Sequence, residues 1–401
     1  MASRTRVISQ NKAVYVSPTG WYASPTANMI HPHQLHRVDT LSFDMDLAGS
    51  RQDIREFGQL ARIGTLTMSD IAPSISLGYY LLDGENEKAL GFHSDSSEQM
   101  LSGILAEAAD YREKNLYVVT VKEGEDAFNA TAYAANSASH DVIGFGNCVI
   151  TSYTANFSVG EIPRADVEFE ASNIVFWTGA DSGLLNPAIN EEGDRADSGI
   201  FQLDAPSIDT DLPKVLRPDD VIITFTQDGT NPISEDSGDG TDKVGGTHLG
   251  DVCVQSLSIE LPLSRGNIEC LGKERAYAKP LEFPINITMN MSAIVKNFAA
   301  GALENVLTGT AGDNKTAIKV EIKDDDGTVQ QMFNLKNAVL DSQNFSIGLD
   351  DNETVDLTFS AQIGGISTST EGLFWTGAGT YNEPTVDQGT KKPSPYAQPI
   401  S

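Results

Sequence analysis

Internal repetition constrains the fold of this chain of 401 residues more than any single motif. The word FWTGA occurs at 176–180 and again at 374–378. Upstream, NFSVG at 156–160 is matched by NFSIG at 344–348. Sequence blocks that return in the same order predict that one supersecondary unit is built twice along the chain.

Two further blocks strengthen this interpretation. The segments VDTLSFDMDL and VQSLSIELPL match, and so do SRQDIREFG and SRGNIECLG, which share the pattern SRxxIxxxG. Similar strand composition explains alternating apolar residues but not a shared SRxxIxxxG or FWTGA. The sequence therefore predicts two tandem copies with the following limits: copy A at 13–180, an acidic polar linker at 181–214, copy B at 215–378 with a disordered acidic loop at 228–246, and an extended tail at 379–401.

Length and charge set the class of protein. A chain of 401 residues is long enough for two to three domains. The formal net charge is −29, which argues against specific binding of nucleic acid, whose phosphates carry the same sign. Solubility or a salty habitat would also explain the charge. Cys148, Cys253 and Cys270 show no metal-ligand spacing, and we expect free thiols made in a reducing cytoplasm.

Alternation of apolar and polar residues predicts strands with one buried face and one wet face. The acidic residues on the polar side of these strands are Asp44, Asp46, Glu168, Glu260 and Asp356. We also predict one helix per copy, within 96–115 with Ser97 as its N-cap and at 296–307. The fold class is mainly β: two antiparallel β-sandwich or barrel domains, each with one packed helix.

The two repeated tryptophans, Trp177 and Trp375, are interpreted as anchors in the core or seam at matching ends of the two copies, with a ligand-binding box as the alternative. HPHQLH at 31–36 brings three histidines together, but Pro32 interrupts it and copy B has no counterpart. We therefore expect a solvated loop rather than a metal site. DDDG at 324–327 is expected to be a hairpin tip rather than a calcium loop.

The sequence gives little evidence for a catalytic function. GxSxG, GxxxxGK[ST], HExxH and CxxC are all missing from the chain. We expect no enzyme activity, no cofactor and no metal. The N-terminal segment lacks the apolar stretch of a secretory signal, and no apolar run is long enough for a membrane helix.

The strand VxxLSFxMxL, the SRxxIxxxG loop, the single helix and the closing NFSxG strands resemble the tail tube (major tail) proteins of tailed bacteriophages. The resemblance covers both copies, although most tube proteins of this kind have one such domain. It implies a ring of six domains whose inner sheets join into one β-barrel around a channel. Three doubled chains would close such a ring, as a homotrimer with pseudo-sixfold geometry.

The resemblance also implies roles for individual residues. The five polar-face acids become candidates for the channel lining. The loops 50–58 and 264–272 become candidates for stacking one ring on the next, and their motif residues are Ser50, Arg51, Ile54, Gly58, Ser264, Arg265, Ile268 and Gly272. The implied partners are the chain itself, tape-measure, tail-terminator and baseplate proteins, possibly a sheath, and double-stranded DNA that passes without specific binding. The location would be the virion tail, assembled in the host bacterial cytoplasm.

Three other functions stay open at this point. A tail-tip, baseplate hub or distal tail protein on the same domain would form a single ring that does not polymerise. A pair of carbohydrate-binding or adhesion modules would require secretion. A hydrolase with unrecognised carboxylates would require a cleft in one copy or at the junction of the two.

Overall fold

The computed structural model describes residues 7–19, 21–22, 29–30, 32–45, 51–67, 72–105, 113–122, 140–178, 186–189, 193, 200–201, 203, 206, 221–227, 231–232, 252–271, 276, 278–295, 316–324, 326–346, 354–363, 369–381 and 391–392. These residues are mainly β-structure, which confirms that the fold is mainly β and antiparallel; the tandem duplication stays a prediction. The predicted linker 181–214, acidic loop 228–246 and tail 379–401 lie largely outside them, so the domain limits stay predictions.

The strands before residue 202 are β1 (Val7–Pro18), β2 (Trp21–Tyr22), β3 (Met29–Ile30), β4 (His33–Leu35), β5 (Val38–Asp44), β6 (Arg51–Ile54), β7 (Gly64–Thr67), β8 (Ser74–Tyr80), β9 (Asp95–Gln99), β10 (Lys114–Lys122), β11 (His140–Ser158), β12 (Arg164–Glu170), β13 (Asn173–Thr178) and β14 (Ile200–Phe201). The later strands are β15 (Val221–Gln227), β16 (Asn231–Pro232), β17 (Val252–Pro262), β18 (Asn286–Val295), β19 (Thr316–Lys323), β20 (Val329–Ser346), β21 (Thr354–Gln362), β22 (Gly372–Gly377) and β23 (Lys391–Lys392). The helices are α1 (Glu85–Leu90) and α2 (Ser102–Leu105).

Eight strands form an antiparallel sheet, here called the central sheet, in the order β5, β8, β12, β11, β17, β18, β21, β20. The first four strands come from the first half of the chain and the last four from the second half. The halves meet where β11 pairs with β17, with Thr154 opposite Glu260 and Ala155 opposite Ile259. One continuous sheet therefore runs through both halves.

Two flanking sheets complete the fold. The first has the order β4, β1, β10, β11, β13, and the second has the order β16, β15, β19, β20, β22, β9. The long strands β11 and β20 pass from a flanking sheet into the central sheet at Asn147 and Asn337, whose φ angles are 52° and 58°. Asparagine tolerates this left-handed conformation better than most residues, so it suits the corner where a strand changes sheet.

The two halves pair their strands in the same order and register. Thr40 lies opposite Gly78 in β5–β8, and Ser256 lies opposite Ser292 in β17–β18; a register shift precedes each pair by one step. The same match holds for three further strand pairs. Asp166–Gly78 in β12–β8 matches Asp356–Ser292 in β21–β18, and Ser152–Glu168 in β11–β12 matches Ser342–Thr358 in β20–β21. Leu116–Phe145 in β10–β11 matches Ile318–Leu335 in β19–β20. Strands β5, β8, β12 and β11 thus correspond to β17, β18, β21 and β20.

The hairpins that follow β5 and β17 also correspond. Their paired residues are Arg51–Thr67 and Ile54–Gly64 in the first hairpin, and Arg265–Leu281 and Ile268–Ala278 in the second. Each pair in the second hairpin lies 214 positions after its match in the first (265 − 51). The SRxxI motif therefore occupies the same structural position twice.

A single hydrophobic core spans both halves. It joins residues of the central sheet, such as Val167 and Met289, to residues of the flanking sheets, such as Phe145 and Phe333. A smaller cluster around Tyr117 lies apart from it in the first half. Burial of one face of the central sheet leaves its other face outside this core, as strand alternation requires.

The helix predictions are partly wrong. Ser97 lies in β9, which pairs with β22 of the second half, so it is not a helix N-cap. Only Ser102–Leu105 of the predicted helix is helical among the described residues. The other described helix, Glu85–Leu90, was not predicted, and the segment 296–307 lies outside the described residues. Neither described helix is long and apolar enough to cross a membrane.

The two FWTGA words are not in structural register. Trp177 pairs with Val142, whereas Trp375 pairs with Phe333, one position further along the equivalent strand. Adjacent strand positions face opposite sides. Trp375 is accordingly buried in the main core, whereas Trp177 packs against the smaller cluster. Trp177 lies on β13 and Trp375 on β22, so the two side chains face different sides of their sheets.

A buried carboxyl group makes the stability of the first half depend on pH. Glu87 is 1% exposed and accepts hydrogen bonds from the hydroxyls of Tyr79 and Tyr153. Burial is the largest cause that raises the pKa of Glu87 from 4.5 to about 7. Protonation of Glu87 is therefore linked to folding, because the folded state holds the proton more tightly than the unfolded state.

We predict that the contribution of Glu87 to the free energy of unfolding is fully present below pH 4.5 and is lost as the pH rises through about 7. Glu87→Gln should flatten that slope and be more stable than wild type at pH 8, because the amide stays neutral. Urea denaturation between pH 4.5 and pH 8 measures this. Glu168→Gln, the same change on an exposed side chain, should keep the wild-type slope; an unaltered slope in Glu87→Gln would contradict the account.

Candidate functional site: the polar face and the edges of the central sheet

The face of the central sheet that points away from the core is polar across all eight strands. The register places these residues on it: Ser42, Asp44, Ser74, Ser76, Asp166, Glu168, Ser152, Thr154, Ser258, Glu260, Thr288, Asn290, Asp356, Thr358, Ser342 and Asn344. Four of the five acids predicted from alternation, Asp44, Glu168, Glu260 and Asp356, are therefore brought together on one surface. The fifth, Asp46, lies outside the described residues.

Neighbouring side chains hold several of these acids by hydrogen bonds. The Nδ2 amide of Asn290 donates to Glu260 at 3.1 Å, and the hydroxyl of Ser292 donates to Asp356 at 2.6 Å. The amide of Asn156 donates to Asp166 at 3.0 Å. These donors are neutral, so they orient the carboxylates without cancelling their charge. The surface keeps a negative field.

Two basic side chains lie beside this face in the described part of the chain. The guanidinium of Arg164 binds Asp166 at 2.7 Å and Asp39 at 3.4 Å. The ammonium of Lys279 binds Glu170 at 2.6 Å. Both cations are held by carboxylates, so neither is left free to bind a phosphate. Asp166 and Glu170 were missed from sequence, although their alternation with Glu168 in RADVEFE is a signal that could have identified them.

The polar face is hollowed rather than flat. A recess of about 340 Å³ lies over the meeting point of the halves, lined by side chains that include Asn156, Ser258 and Asp356. A second recess, of about 550 Å³, lies between Asp44, Ser76 and Glu168 of the first half and Asn267 of the second hairpin. Both recesses are lined mainly by residues of the polar face.

The two edges of the central sheet are the strands β5 and the C-terminal part of β20. Among the described residues, β5 pairs in this sheet with β8 alone, and residues 339–346 of β20 pair with β21 alone. Phe43 on β5 is 42% exposed and Phe345 on β20 is 38% exposed. A strand that pairs on one side only can add another strand on its other side.

At the junction between the halves, the strands that correspond to these two edges are paired with each other. Ile259 of β17 and Ala155 of β11 lie opposite each other, and both are 0% exposed. By the shared register, Ile259 corresponds to Phe43 and Ala155 corresponds to Phe345. The positions that are exposed at the free edges are thus buried where the same edges meet inside the chain.

Arg265 secures this junction. Its Nε donates to the carbonyl of Ile150 in the first half at 3.2 Å, and its Nη1 donates to the carbonyl of Lys279 at 3.0 Å. Arg51 holds the same position in the first hairpin, but it is exposed. The carbonyl that would match Ile150 belongs to Leu340 on β20, at the other end of the sheet.

The predicted stacking loops form long exposed hairpins. Phe57 and Leu60 at the tip of the first are 107% and 110% exposed, and Leu271 of the second is 107% exposed. Ile54 and Ile268 are also exposed, at 41% and 48%. Gly58 has φ +97°, which suits a tight turn. Ser264 is exposed, and Ser50 and Gly272 lie outside the described residues.

The histidine segment differs from its prediction. His33 lies in β4, pairs with Val16 of β1, and has its Nε2 buried, so a solvated loop is wrong for this residue. Local sequence around Pro32 gave no signal of that long-range pairing. His31 lies outside the described residues. The DDDG segment does form a hairpin tip, where the carboxylate of Asp324 accepts hydrogen bonds from the backbone of Asp326 and Thr328.

Comparisons with known proteins contribute little. No family model matches this chain, and no curated protein sequence matches it. One similar solved structure is a chain in the cryo-EM structure of the anti-feeding prophage baseplate, 6-fold symmetrised, with 11% identity and a TM-score of 0.26. That match covers 40% of this chain and 93% of the other. At this TM-score the similarity carries no argument about fold or function.

We predict that Arg265→Ala lowers the free energy of unfolding by about 1–3 kcal/mol, because it removes charged donors from two backbone carbonyls. Arg51→Ala is the matched control and should change it by less than about 0.5 kcal/mol in the isolated chain. Urea denaturation at low protein concentration compares them. Equal effects of the two substitutions would contradict the assignment of Arg265 to the junction.

Proposed function

We propose that this chain is a structural subunit of a phage-type tail tube, in which rings of three chains stack around a channel for DNA. The observation that carries the proposal is the central sheet: two four-stranded halves with the same register are joined edge to edge, and the outer edges present the same two strands again. We infer that the halves are tandem copies of one domain. Three chains then supply six equivalent units for one ring.

Ring closure follows from the junction. If β20 of one chain meets β5 of the next as β11 meets β17, Phe345 lies opposite Phe43 and Asn344 lies opposite Asp44. Both phenylalanines then become buried, as Ala155 and Ile259 are. Arg51 would reach the carbonyl of Leu340 in the neighbouring chain. Closing the central sheet into a ring removes its two outer edges. In an open sheet such edges stay exposed to unspecific pairing.

The acidic face would then line the channel. Double-stranded DNA carries phosphates along its whole length, and each bound cation would hold it by counterion release. A wall of carboxylates, hydroxyls and amides repels the phosphates and offers them few cations. We propose that DNA passes Asp44, Asp46, Glu168, Glu260 and Asp356 without specific binding.

The exposed hairpins would connect successive rings. The tips carry Phe57, Leu60 and Leu271, which are fully exposed, and exposed apolar side chains of this kind favour a partner surface. We place tape-measure, tail-terminator and baseplate proteins, and possibly a sheath, at the ends and outside of the tube. The proposed location is the virion tail, after assembly in the host bacterial cytoplasm. No catalytic step belongs to this function.

A tail-tip, baseplate hub or distal tail protein is the second candidate, because the same sheet edges would close a single ring. Negative-stain electron microscopy of the purified chain at rising concentration separates the two. Hollow tubes or stacked rings with three chains per ring support the tube. A single ring that does not stack favours the tail tip. Monomers at every concentration would contradict self-assembly through the sheet edges.

Substitutions at the edges should control ring formation. Phe43→Lys and Phe345→Glu each place an unpaired charge in the proposed interface, which costs several kcal/mol and should weaken association at least about a hundredfold. The double variant places Lys opposite Glu and should recover part of the loss. Sedimentation velocity measures the assembled fraction. Rings from either single variant at wild-type concentrations would contradict the proposed edge pairing.

Substitutions at the hairpin tips should separate stacking from ring closure. We predict that Phe57→Asp with Leu271→Asp leaves single rings but abolishes tubes, because it replaces the apolar contacts between rings with charge. Gln52→Asp with Gln59→Asp adds the same charge to exposed hairpin positions without removing apolar surface, and should still give tubes. Electron microscopy scores both. Tubes of normal length from the tip variant would show that stacking uses another surface.

Neutralising the channel acids should slow DNA passage without affecting assembly. The variant Glu168→Gln, Glu260→Gln, Asp356→Asn keeps the edge residue Asp44. Its control, Glu98→Gln, Asp326→Asn, Glu371→Gln, changes the net charge equally but lies off the polar face. The rate of DNA ejection from particles built with each chain is the measurement. Equal rates for the two variants would remove the proposed role of the acidic wall.

A further inference from the structure

A cluster of possible metal ligands lies away from the central sheet, where β4 meets α1. His33, His36 and Glu85 each offer one ligand atom, and these atoms all lie within 4.8 Å of one another. The histidines are on and directly after β4, and Glu85 begins α1. Two imidazoles and one carboxylate are a donor set that suits Zn²⁺ and related divalent transition metals.

The distances fit such an ion. The Nε2 of His33 lies 3.6 Å from Oε1 of Glu85. Two ligands at about 2.0–2.1 Å from a tetrahedral Zn²⁺ lie roughly 3.3 Å apart, so this pair needs little movement. The Nε2 of His33 is buried and has no hydrogen-bond partner among the described residues. A buried polar nitrogen without a partner is unfavourable, and a bound ion would satisfy it.

The backbone around the cluster is fixed. The Asn86 side chain accepts a hydrogen bond from the backbone N–H of His36 at 3.0 Å and donates one to its carbonyl at 2.8 Å. This reciprocal pair ties the end of β4 to α1, next to Glu85. On the other side, the ring of Tyr381 packs edge-on against His33 with centroids 5.0 Å apart. Fixed supporting groups of this kind position ligands before an ion arrives.

The cluster also lies on a contact between the two halves. The Nζ of Lys88 in α1 donates to the carbonyl of Gly377 at 2.7 Å, and the backbone N–H of Gly379 donates to Asp83 at 2.8 Å. An ion bound by β4 and α1 would therefore stiffen the part of the first half that touches the end of β22.

We propose that His33, His36 and Glu85 bind one Zn²⁺ ion, or a divalent ion of the same preference, with the fourth position taken by water. Its role is structural: it fastens β4 to α1 and so supports the contact between the halves. Metal binding to the folded state alone raises the stability of that state.

The test uses the full chain with Cys270→Ser, which removes an exposed thiol that could bind Zn²⁺, in excess Mg²⁺ to occupy surface carboxylates. Competition with a chromophoric chelator measures Zn²⁺ affinity, and Co²⁺ absorption reports tetrahedral geometry. We expect one ion per chain, a higher melting temperature with Zn²⁺, and at least about a tenfold loss of affinity in His33→Ala and in His36→Ala.

His93→Ala is the matched control, because His93 pairs with Glu98 at 3.3 Å and does not belong to the cluster of possible metal ligands. This variant should bind Zn²⁺ as wild type does. Circular dichroism checks that each variant folds. If His33→Ala fails to fold, His36→Ala still provides the test. The proposal is overturned if wild type binds no stoichiometric Zn²⁺, or if the folded His33 and His36 variants bind it as tightly as wild type.

Discussion

The pairing of β11 with β17 is the interaction on which the rest of this structure depends. It converts two separate four-stranded halves into one eight-stranded sheet, and it buries Ala155 and Ile259 completely. Arg265 adds hydrogen bonds from the second half to the backbone of the first. Because the halves share one register, this internal junction is the template for the proposed pairing between the outer edges of two chains.

Charge and edge geometry support the same account of function. Strand alternation sends the apolar residues into the core and leaves carboxylates and neutral polar groups on the opposite face. A channel for DNA needs such a surface, since cations would retain the phosphates. An enclosed channel also needs closed sheet edges. The outer edges carry Phe43 and Phe345, whose counterparts Ile259 and Ala155 are buried at the junction inside the chain.

Much of this arrangement could be predicted from sequence. Alternation identified Asp44, Glu168, Glu260 and Asp356, and SRxxI located two hairpins of matching register. The identical FWTGA segments aligned the two halves less accurately than strand pairing does. FWTGA misaligned Trp177 with Trp375, because the connection before the last strand differs in length between the halves. Ser97 lies in β9, which pairs with β22 far along the chain, and His33 pairs with β1; neither pairing leaves a signal in the local sequence.

Covalent trapping of the proposed edge pair tests the central claim most directly. In a Cys270→Ser background, Phe43→Cys with Phe345→Cys places two thiols opposite each other, within reach of a disulfide in an antiparallel pair. The account predicts covalent trimers on mild oxidation, and few from Phe43→Cys with Gln343→Cys, whose partner position is two residues out of register. Monomers from the first variant, or equal trapping by both, would contradict it.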